Sequence, residues 1–382
     1  MSVTFPKGFL ASGLNSGLKN NSKDMALVVN QGPNFDAAGV FTSNQVKAAP
    51  VLWSIEVLKN KKLKAVLLNS GGANACTGHK GFQNTHKSAE MTAELLQIGP
   101  IDVAVCSTGL IGKHLDMQKI EFGIKNLVNN LSNNGGNDAA DAILTTDSHK
   151  KIISIDNDNF KMGAMIKGAG MLAPDLATML CVITTDADLS ELDIQEILQS
   201  SVKKTLNRLD SDGCTSTNDS VIIMSSGASK YVPTRNEFEK VLLEVLNELS
   251  NLLINDAEGA TKNIEILIQN AMTEDDAVDV GRSIARNNLL KCAFFGEDPN
   301  WGRILAAIGN SRATIDQEKL DVKINDVLVC KSGMSCENES KVKLSNRLIK
   351  VEVDLNIGSK SATILTNDLS IKYVHENSAY SS

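Results

Sequence analysis

The chain has 382 residues, 42% of them hydrophobic and 22% charged, with a net charge of −7, and that length calls for two domains rather than one ordinary core. The acidic balance argues against nucleic acid or an anionic membrane surface as a partner, since both demand clustered Lys and Arg; the run Lys59–Lys64 reads as solvated surface. No apolar run is long enough to span a membrane, and the start Met1-Ser2-Val3-Thr4-Phe5-Pro6-Lys7-Gly8 lacks the features of a signal peptide, so a cytoplasmic protein is expected.

In chain order, the first half alternates short apolar runs with Gly-rich turns. Ala65–Leu68 ends in Asn69-Ser70-Gly71-Gly72, and Val103–Val105 ends in Ser107-Thr108-Gly109. Met162–Ile166 enters Lys167-Gly168-Ala169-Gly170, and Leu180–Ile183 follows Thr178. Each predicts a buried strand leading into a loop, which is where α/β proteins place binding groups. Two helices come next. Glu191–Leu209 carries Leu192, Ile194, Ile197, Leu198 and Val202 at helical spacing. Glu237–Leu253 has a wider apolar face, from Phe238 and Val241 to Leu249 and Leu253, that must pack on a sheet.

After Gly259 the period changes to two. Ile264, Ile266 and Ile268 alternate with polar residues, as do Ile349, Val351, Val353, Leu355 and Ile357 before the turn at Gly358-Ser359. A helix is expected between them, from about Asp275 to Leu290. This places a domain boundary near residue 260, with a smaller α+β domain after it. The seven cysteines are odd in number and scattered, with no Cys-x-x-Cys pair, and the five histidines lack metal-ligand spacing. Reduced thiols are therefore expected, with no metal site.

The segment from Lys167 to Asp186 holds the most specific chemistry. A loop containing Gly168, Gly170 and Pro174 feeds Ala177, then Thr178, then an apolar strand. Self-cleaving N-terminal-nucleophile enzymes need this order. A strained loop lets the Thr hydroxyl attack the preceding carbonyl, here that of Ala177. The ester then hydrolyses and leaves a new N-terminal Thr on a rigid strand. The freed α-amine, with an intrinsic pKa of about 7.7–8.0, can serve as the base for its own hydroxyl. Taken alone, Thr178 is also an ordinary start for a buried strand.

Motifs across the chain decide between these readings. They include Gly8-Phe9-Leu10-Ala11-Ser12-Gly13, Ala38-Gly39-Val40-Phe41-Thr42, Asn69 to Gly78, and Ser107-Thr108-Gly109-Leu110-Ile111-Gly112. Thr145-Thr146-Asp147, Thr215-Ser216-Thr217-Asn218-Asp219, Asp256 to Lys262 and Phe295 to Arg303 follow in order. In this series, nearly full length, the chain resembles the ornithine acetyltransferase family, also called bifunctional glutamate N-acetyltransferase. The resemblance implies an α/β (α+β) fold, a four-layer αββα sandwich of N-terminal-nucleophile type with the smaller C-terminal domain. It implies a cut between Ala177 and Thr178 into an α chain (1–177) and a β chain (178–382). Residues 178–260 would complete the catalytic core, 261–375 form the smaller domain, and 376–382 close the active site. The two chains would pair as α2β2.

The implied reaction moves acetyl from N2-acetyl-L-ornithine to L-glutamate through an ester on Thr178, with no cofactor and with acetyl-CoA as a possible co-substrate. Thr108 and Gly109 would form the oxyanion hole, through the Thr hydroxyl and the Gly backbone N–H. Substrate contacts would fall on Thr145, Lys167, Thr178, Glu258, Asn377 and Ser382. Lys167 suits a carboxylate and Glu258 the ornithine ammonium, although each alone would read as a solvated surface charge. The run Phe295–Arg303 reads as structural: Pro299 and Gly302 shape a turn that Trp301 anchors. Asn218 and Asp219 are left outside the site. Gly72, Asp175, Cys214 and Ser148-His149-Lys150 depart from the family pattern, and none removes a group the reaction needs. Two competitors remain open: an N-terminal-nucleophile amidase or aminopeptidase of the same fold, and an uncut, non-catalytic amino-acid-binding protein.

Overall fold

The computed structural model describes residues 2–172 and 179–379. Among these described residues the first unit contains nine strands: β1 (Phe9–Leu14), β2 (Met25–Asn30), β3 (Ala37–Phe41), β4 (Ala65–Asn69), β5 (Val103–Ser107), β6 (Lys151–Asn157), β7 (Phe160–Lys167), β8 (Leu180–Thr185) and β9 (Ser220–Ser225). Its helices are α1 (Ala49–Val57), α2 (Gly78–Leu96), α3 (Met117–Asn129), α4 (Gly136–Ala142), α5 (Ile194–Lys204) and α6 (Arg235–Asn255). The strands form two sheets, ordered β1-β2-β4-β5 and β3-β9-β8-β7-β6.

Burial on both faces of each sheet explains the uninterrupted apolar runs. All six residues of β8 and all six of β9 are buried. Between the sheets, Val28, Val66, Leu68 and Ala104 of the first meet Met165, Leu180, Val182, Ile222 and Met224 of the second. The outer face of the first sheet presents Leu27, Leu67 and Val105 to Ala89 and Ala93 of α2 and to Ile120, Ile124 and Leu127 of α3. That of the second presents Ile166, Cys181, Ile183 and Val221 to Ile197 and Leu198 of α5 and to Leu242, Val245 and Leu249 of α6. The layers therefore run helix, sheet, sheet, helix, as expected.

The remaining chain folds around its own core. Strands β10 (Asn263–Ala271), β11 (Asp321–Ile324), β12 (Val327–Lys331), β13 (Met334–Ser335), β14 (Leu348–Asp354) and β15 (Lys360–Asn367) form a sheet ordered β13-β12-β11-β14-β10-β15. One face is covered by α7 (Glu274–Ala285), α8 (Asn288–Phe295) and α9 (Trp301–Ile308), with Ile266, Ile268, Val351 and Val353 packing on Ile284, Phe294 and Ile308. Leu365 packs instead against the core beneath α6, which joins the two units. A last helix, α10 (Ile371–Ala379), is seated by Ser370, whose hydroxyl donates to the Gly259 carbonyl at 2.5 Å.

Three local expectations change. The helix expected over Glu191–Leu209 spans only Ile194–Lys204, because Thr205 leaves helical geometry (φ −126, ψ −92) and its hydroxyl donates back to the Ser201 carbonyl. The one expected over about Asp275–Leu290 is two helices, since the Asn287 side chain caps α8 by accepting the Leu290 N–H at 3.0 Å. Trp301 and Gly302 lie in α9 rather than in a turn, and the Trp301 indole donates to Glu339 at 2.5 Å.

Candidate active site

Strands β4 and β5 run parallel with Asn69 opposite Ser107, so their carboxyl ends finish side by side, the usual place for a ligand in such sheets. The chain continues from there through Thr108, whose N–H donates to the Asn69 carbonyl at 2.9 Å and whose carbonyl accepts the Gly72 N–H at 3.1 Å. Asn218 clamps this corner from the second sheet, donating to the carbonyls of Ala73 at 2.6 Å and Ser107 at 2.8 Å. Thr108 is 1% exposed, and its hydroxyl oxygen is buried without a hydrogen-bond partner. Such an atom is costly in a resting protein. Gly109 follows at φ +124, where a Cβ would lie 2.9 Å from the Gly72 nitrogen. Only glycine fits there without strain.

A line of buried charge underlies the site. Lys167, at the end of β7, is 1% exposed, with its ammonium 3.8 Å from Asp147. Asp147 also accepts from the Lys151 ammonium at 2.7 Å, the Gly168 N–H at 2.6 Å and the Thr145 N–H at 3.1 Å. Lys151, fully buried, reaches on to Asp256 at 2.6 Å, and Asp256 in turn accepts the Ser148 N–H at 3.0 Å. Burial alone would raise the Asp147 carboxyl, but Lys167, Lys151 and the Gly168 N–H outweigh it and hold the group at about 2. Burial pushes the Lys167 ammonium down from its ordinary value, against the pull of Asp147. On the far side, Glu258 is fixed by its N–H to the Ala169 carbonyl at 3.0 Å. Its carboxylate lies so close to Gly170 that a Cβ there would come within 2.5 Å.

These groups converge. Thr108, Gly109, Thr145, Lys167, Glu258 and Asn377 line one pocket together with Thr146, Gly170 and Met171. Two larger cavities adjoin it through Thr145 and Thr146. One of about 530 Å³ is bounded by Asp256–Gly259 and α10. The other, of about 470 Å³, is bounded by the 18–22 loop, Ser70, Gly71 and Leu110. Asn377 stands on exposed α10, its amide donating to the Tyr373 carbonyl at 3.1 Å. Ala177, Thr178 and Ser382 lie outside the described residues. The strand after them is described: Met179 is buried, and its N–H donates to Asp219 at 2.9 Å.

Several site residues were not singled out from the sequence. Lys151 and Asp256 look like surface charges in linear order, and only the pairing of β6 with β7 turns Lys151 inward beside Lys167. Asp147 was visible within the Thr145-Thr146-Asp147 motif, but its role depends on two lysines from neighbouring strands. Among the described residues, no group of His, Cys, Asp and Glu could hold a metal ion, all seven cysteines are free, and no helix is long and apolar enough to cross a membrane.

Comparison with known proteins converges on one group. The family model described as ArgJ family matches residues 10–382. A Streptomyces avermitilis protein named arginine biosynthesis bifunctional protein ArgJ is 55% identical over 383 residues, covering all of both chains. A Mycobacterium tuberculosis protein of the same name is 49% identical over 389 residues, covering 100% of this chain and 96% of the relative. A solved structure described as ornithine acetyltransferase complexed with ornithine, from Mycobacterium tuberculosis, aligns at 52% identity with a TM-score of 0.45; the alignment covers 46% of this chain and 96% of that one.

Proposed function

Because this chain belongs to the ArgJ family, we propose that it is an acyltransferase of arginine biosynthesis that carries acetyl from N2-acetyl-L-ornithine to L-glutamate through an ester on Thr178. The chain first cuts itself. The Thr178 hydroxyl attacks the Ala177 carbonyl, the amide becomes an ester, and water releases residues 1–177 from 178–382. The new α-amine then takes the hydroxyl proton of its own side chain. The oxygen attacks the acetyl carbon, ornithine leaves with a proton on its amine, and the glutamate amine attacks the ester in its turn. No cofactor is required, and acetyl-CoA is a second donor for the same ester. Both fragments stay together, pair as α2β2 and work in the cytoplasm.

The observation that carries this reading is the unpartnered, buried Thr108 hydroxyl beside Gly109. Each transfer step passes through a tetrahedral oxyanion, and preorganised donors in a dry pocket stabilise it. Thr108 Oγ1 and the Gly109 N–H are two such donors. The substrate contacts follow by charge. Lys167 takes the α-carboxylate of the amino acid, Glu258 takes the distal ammonium of ornithine, and Thr145, Asn377 and Ser382 supply neutral hydrogen bonds around it.

The test is an assay with acetyl-ornithine and glutamate, run beside a denaturing gel. Acetylglutamate and ornithine should form in equal amounts, with little acetyl-ornithine consumed when glutamate is left out. Supplying acetyl-CoA in place of acetyl-ornithine measures the second donor. Two bands should replace the 41.0 kDa chain, and Thr178→Ala should abolish both cutting and transfer. Glutamate-independent hydrolysis would mark an amidase instead, and full activity from a single uncut band would end the mechanism.

A further inference from the structure

We propose that Asp219 is the positioning residue of the nucleophile: one carboxylate oxygen clamps the peptide that joins residue 178 to Met179, and the other receives the α-amine freed by cleavage. The inference rests on the reading of Thr178 as nucleophile. Its first support is register. Strands β8 and β9 are parallel with Leu180 opposite Ser220, and the ladder continues one residue back, where the Ser220 N–H donates to the Met179 carbonyl at 3.1 Å. The Met179 N–H turns to Asp219 Oδ1 at 2.9 Å. That N–H belongs to the peptide bond made with residue 178, so Asp219 holds the nucleophile by its own main chain. The α-amine of residue 178 is separated from the same nitrogen only by its Cα and carbonyl carbon.

The second support is an unsatisfied atom. Asp219 is fully buried, and its Oδ2 has no hydrogen-bond partner. A buried carboxylate oxygen left unpaired is expensive, and such groups gather at functional sites. The charged and polar groups facing it are Lys167, the Cys214 thiol and the hydroxyls of Ser216 and Thr42. Burial raises the carboxyl well above its ordinary value, against the Met179 N–H, Lys167 and the hydroxyls of Ser216 and Thr42. A cationic amine placed beside Oδ2 reverses that preference. Cutting thus supplies the buried carboxyl with a cationic partner. Asn218, the preceding residue, holds the Ser107 carbonyl next to Thr108, so this one dipeptide ties nucleophile and oxyanion hole to the same strand.

The experiment compares the full chain with Asp219→Asn and Asp219→Ala. The asparagine still accepts the Met179 N–H, so cutting should go to completion on a denaturing gel, whereas Asp219→Ala should be cut slowly. In cut Asp219→Asn the amine loses its anionic partner. The acidic limb of the kcat profile for transfer should move to lower pH, and the plateau should fall about tenfold. An unmoved limb with wild-type kcat would overturn the proposal. Infrared pH titrations give a readout that needs no Asp219 variant to fold: a buried carboxyl should ionise at lower pH in cut wild type than in uncut Thr178→Ala, a downward shift. Its absence would also overturn the proposal. If Thr178→Ala keeps transferring acetyl, the nucleophile assignment itself fails; if it is inactive while Asp219→Asn behaves as wild type, only the role of Asp219 is lost.

Discussion

The Gly72 N–H donates to the Thr108 carbonyl at 3.1 Å, and this single bond fixes the peptide plane between Thr108 and Gly109. Carbonyl and N–H point to opposite sides of a trans peptide. The Gly109 N–H is therefore turned away from Gly72 and donates to no group among the described residues. The neighbouring Thr108 hydroxyl also lacks a partner. Two donors are thus held ready by a hydrogen bond that neither of them makes.

Thr108→Val should separate catalysis from stability. It removes a hydroxyl that bonds to nothing in the resting protein, so the thermal midpoint should hold or rise slightly. The turnover number should fall about 10²- to 10³-fold, the usual cost of one oxyanion donor, and Thr108→Ser should recover most of it. A large loss of thermal stability in Thr108→Val would show that the hydroxyl has structural work.

Gly109→Ala should harm both. At φ +124 with a Cβ only 2.9 Å from the Gly72 nitrogen, the corner must open, at a cost of about 1–3 kcal/mol. Urea unfolding should record that loss. Transfer should fall further than stability explains, because the N–H is re-aimed. Wild-type kinetics in this variant would place the oxyanion elsewhere.

Gly170→Ala is the gentler probe. A Cβ there would lie 2.5 Å from the Glu258 carboxylate, the mobile end of a side chain, so the fold should absorb it with a change of under about 1 kcal/mol. Displacing that carboxylate should raise KM for acetyl-ornithine several-fold and leave kcat for the ester step nearly intact. Glu258→Gln should move KM in the same direction. If neither variant changes KM, Glu258 does not hold the ammonium.

Much of the fold was legible in the chain, for a physical reason. Strands β4, β5, β7 and β8 lie in sheets covered on both faces, so they read as unbroken apolar runs, while β10 and β14 cover one face and alternate. Strands β3 and β6 did not stand out. One is five residues containing a central glycine, and the other, Lys151–Asn157, starts on Lys151 and carries Asp156 next to its last residue. The site was harder to read. Lys167 alone reads as a solvated surface charge until β7 is placed against β6 and β8, after which it is 1% exposed and faces Asp147. Asp219 was set aside because nothing in linear order puts it against Met179, 40 residues away. Parallel pairing of β8 and β9 does.

Acid should expose the buried charge line. The Asp147 carboxyl is held at about 2, below its ordinary 3.8, so the folded state favours its ionised form. The stability it gives, about 2 kcal/mol, is complete above pH 4 and fades as pH drops toward 2. Asp147→Asn should cost about 3–5 kcal/mol at neutral pH, because Lys151 and Lys167 lose a shared anion. The gap between wild type and variant in urea midpoints should narrow below pH 4. A gap constant with pH would mean that the carboxylate charge is not what stabilises.

The interleaving of β3, β9, β8, β7 and β6 in one sheet makes the history of the molecule matter. Residues 1–177 supply β3, β6 and β7, and residues 178–382 supply β8 and β9, which sit between them. An intact chain closes this sheet as a first-order event, at a rate indifferent to dilution. In a chain cut as proposed at Ala177–Thr178 and then unfolded, two separate molecules would have to meet before either had a complete sheet, and recovery would fall on dilution. Under the proposed cut, the strand order thus dictates the order of manufacture: fold first, cut second, with no return by the same road.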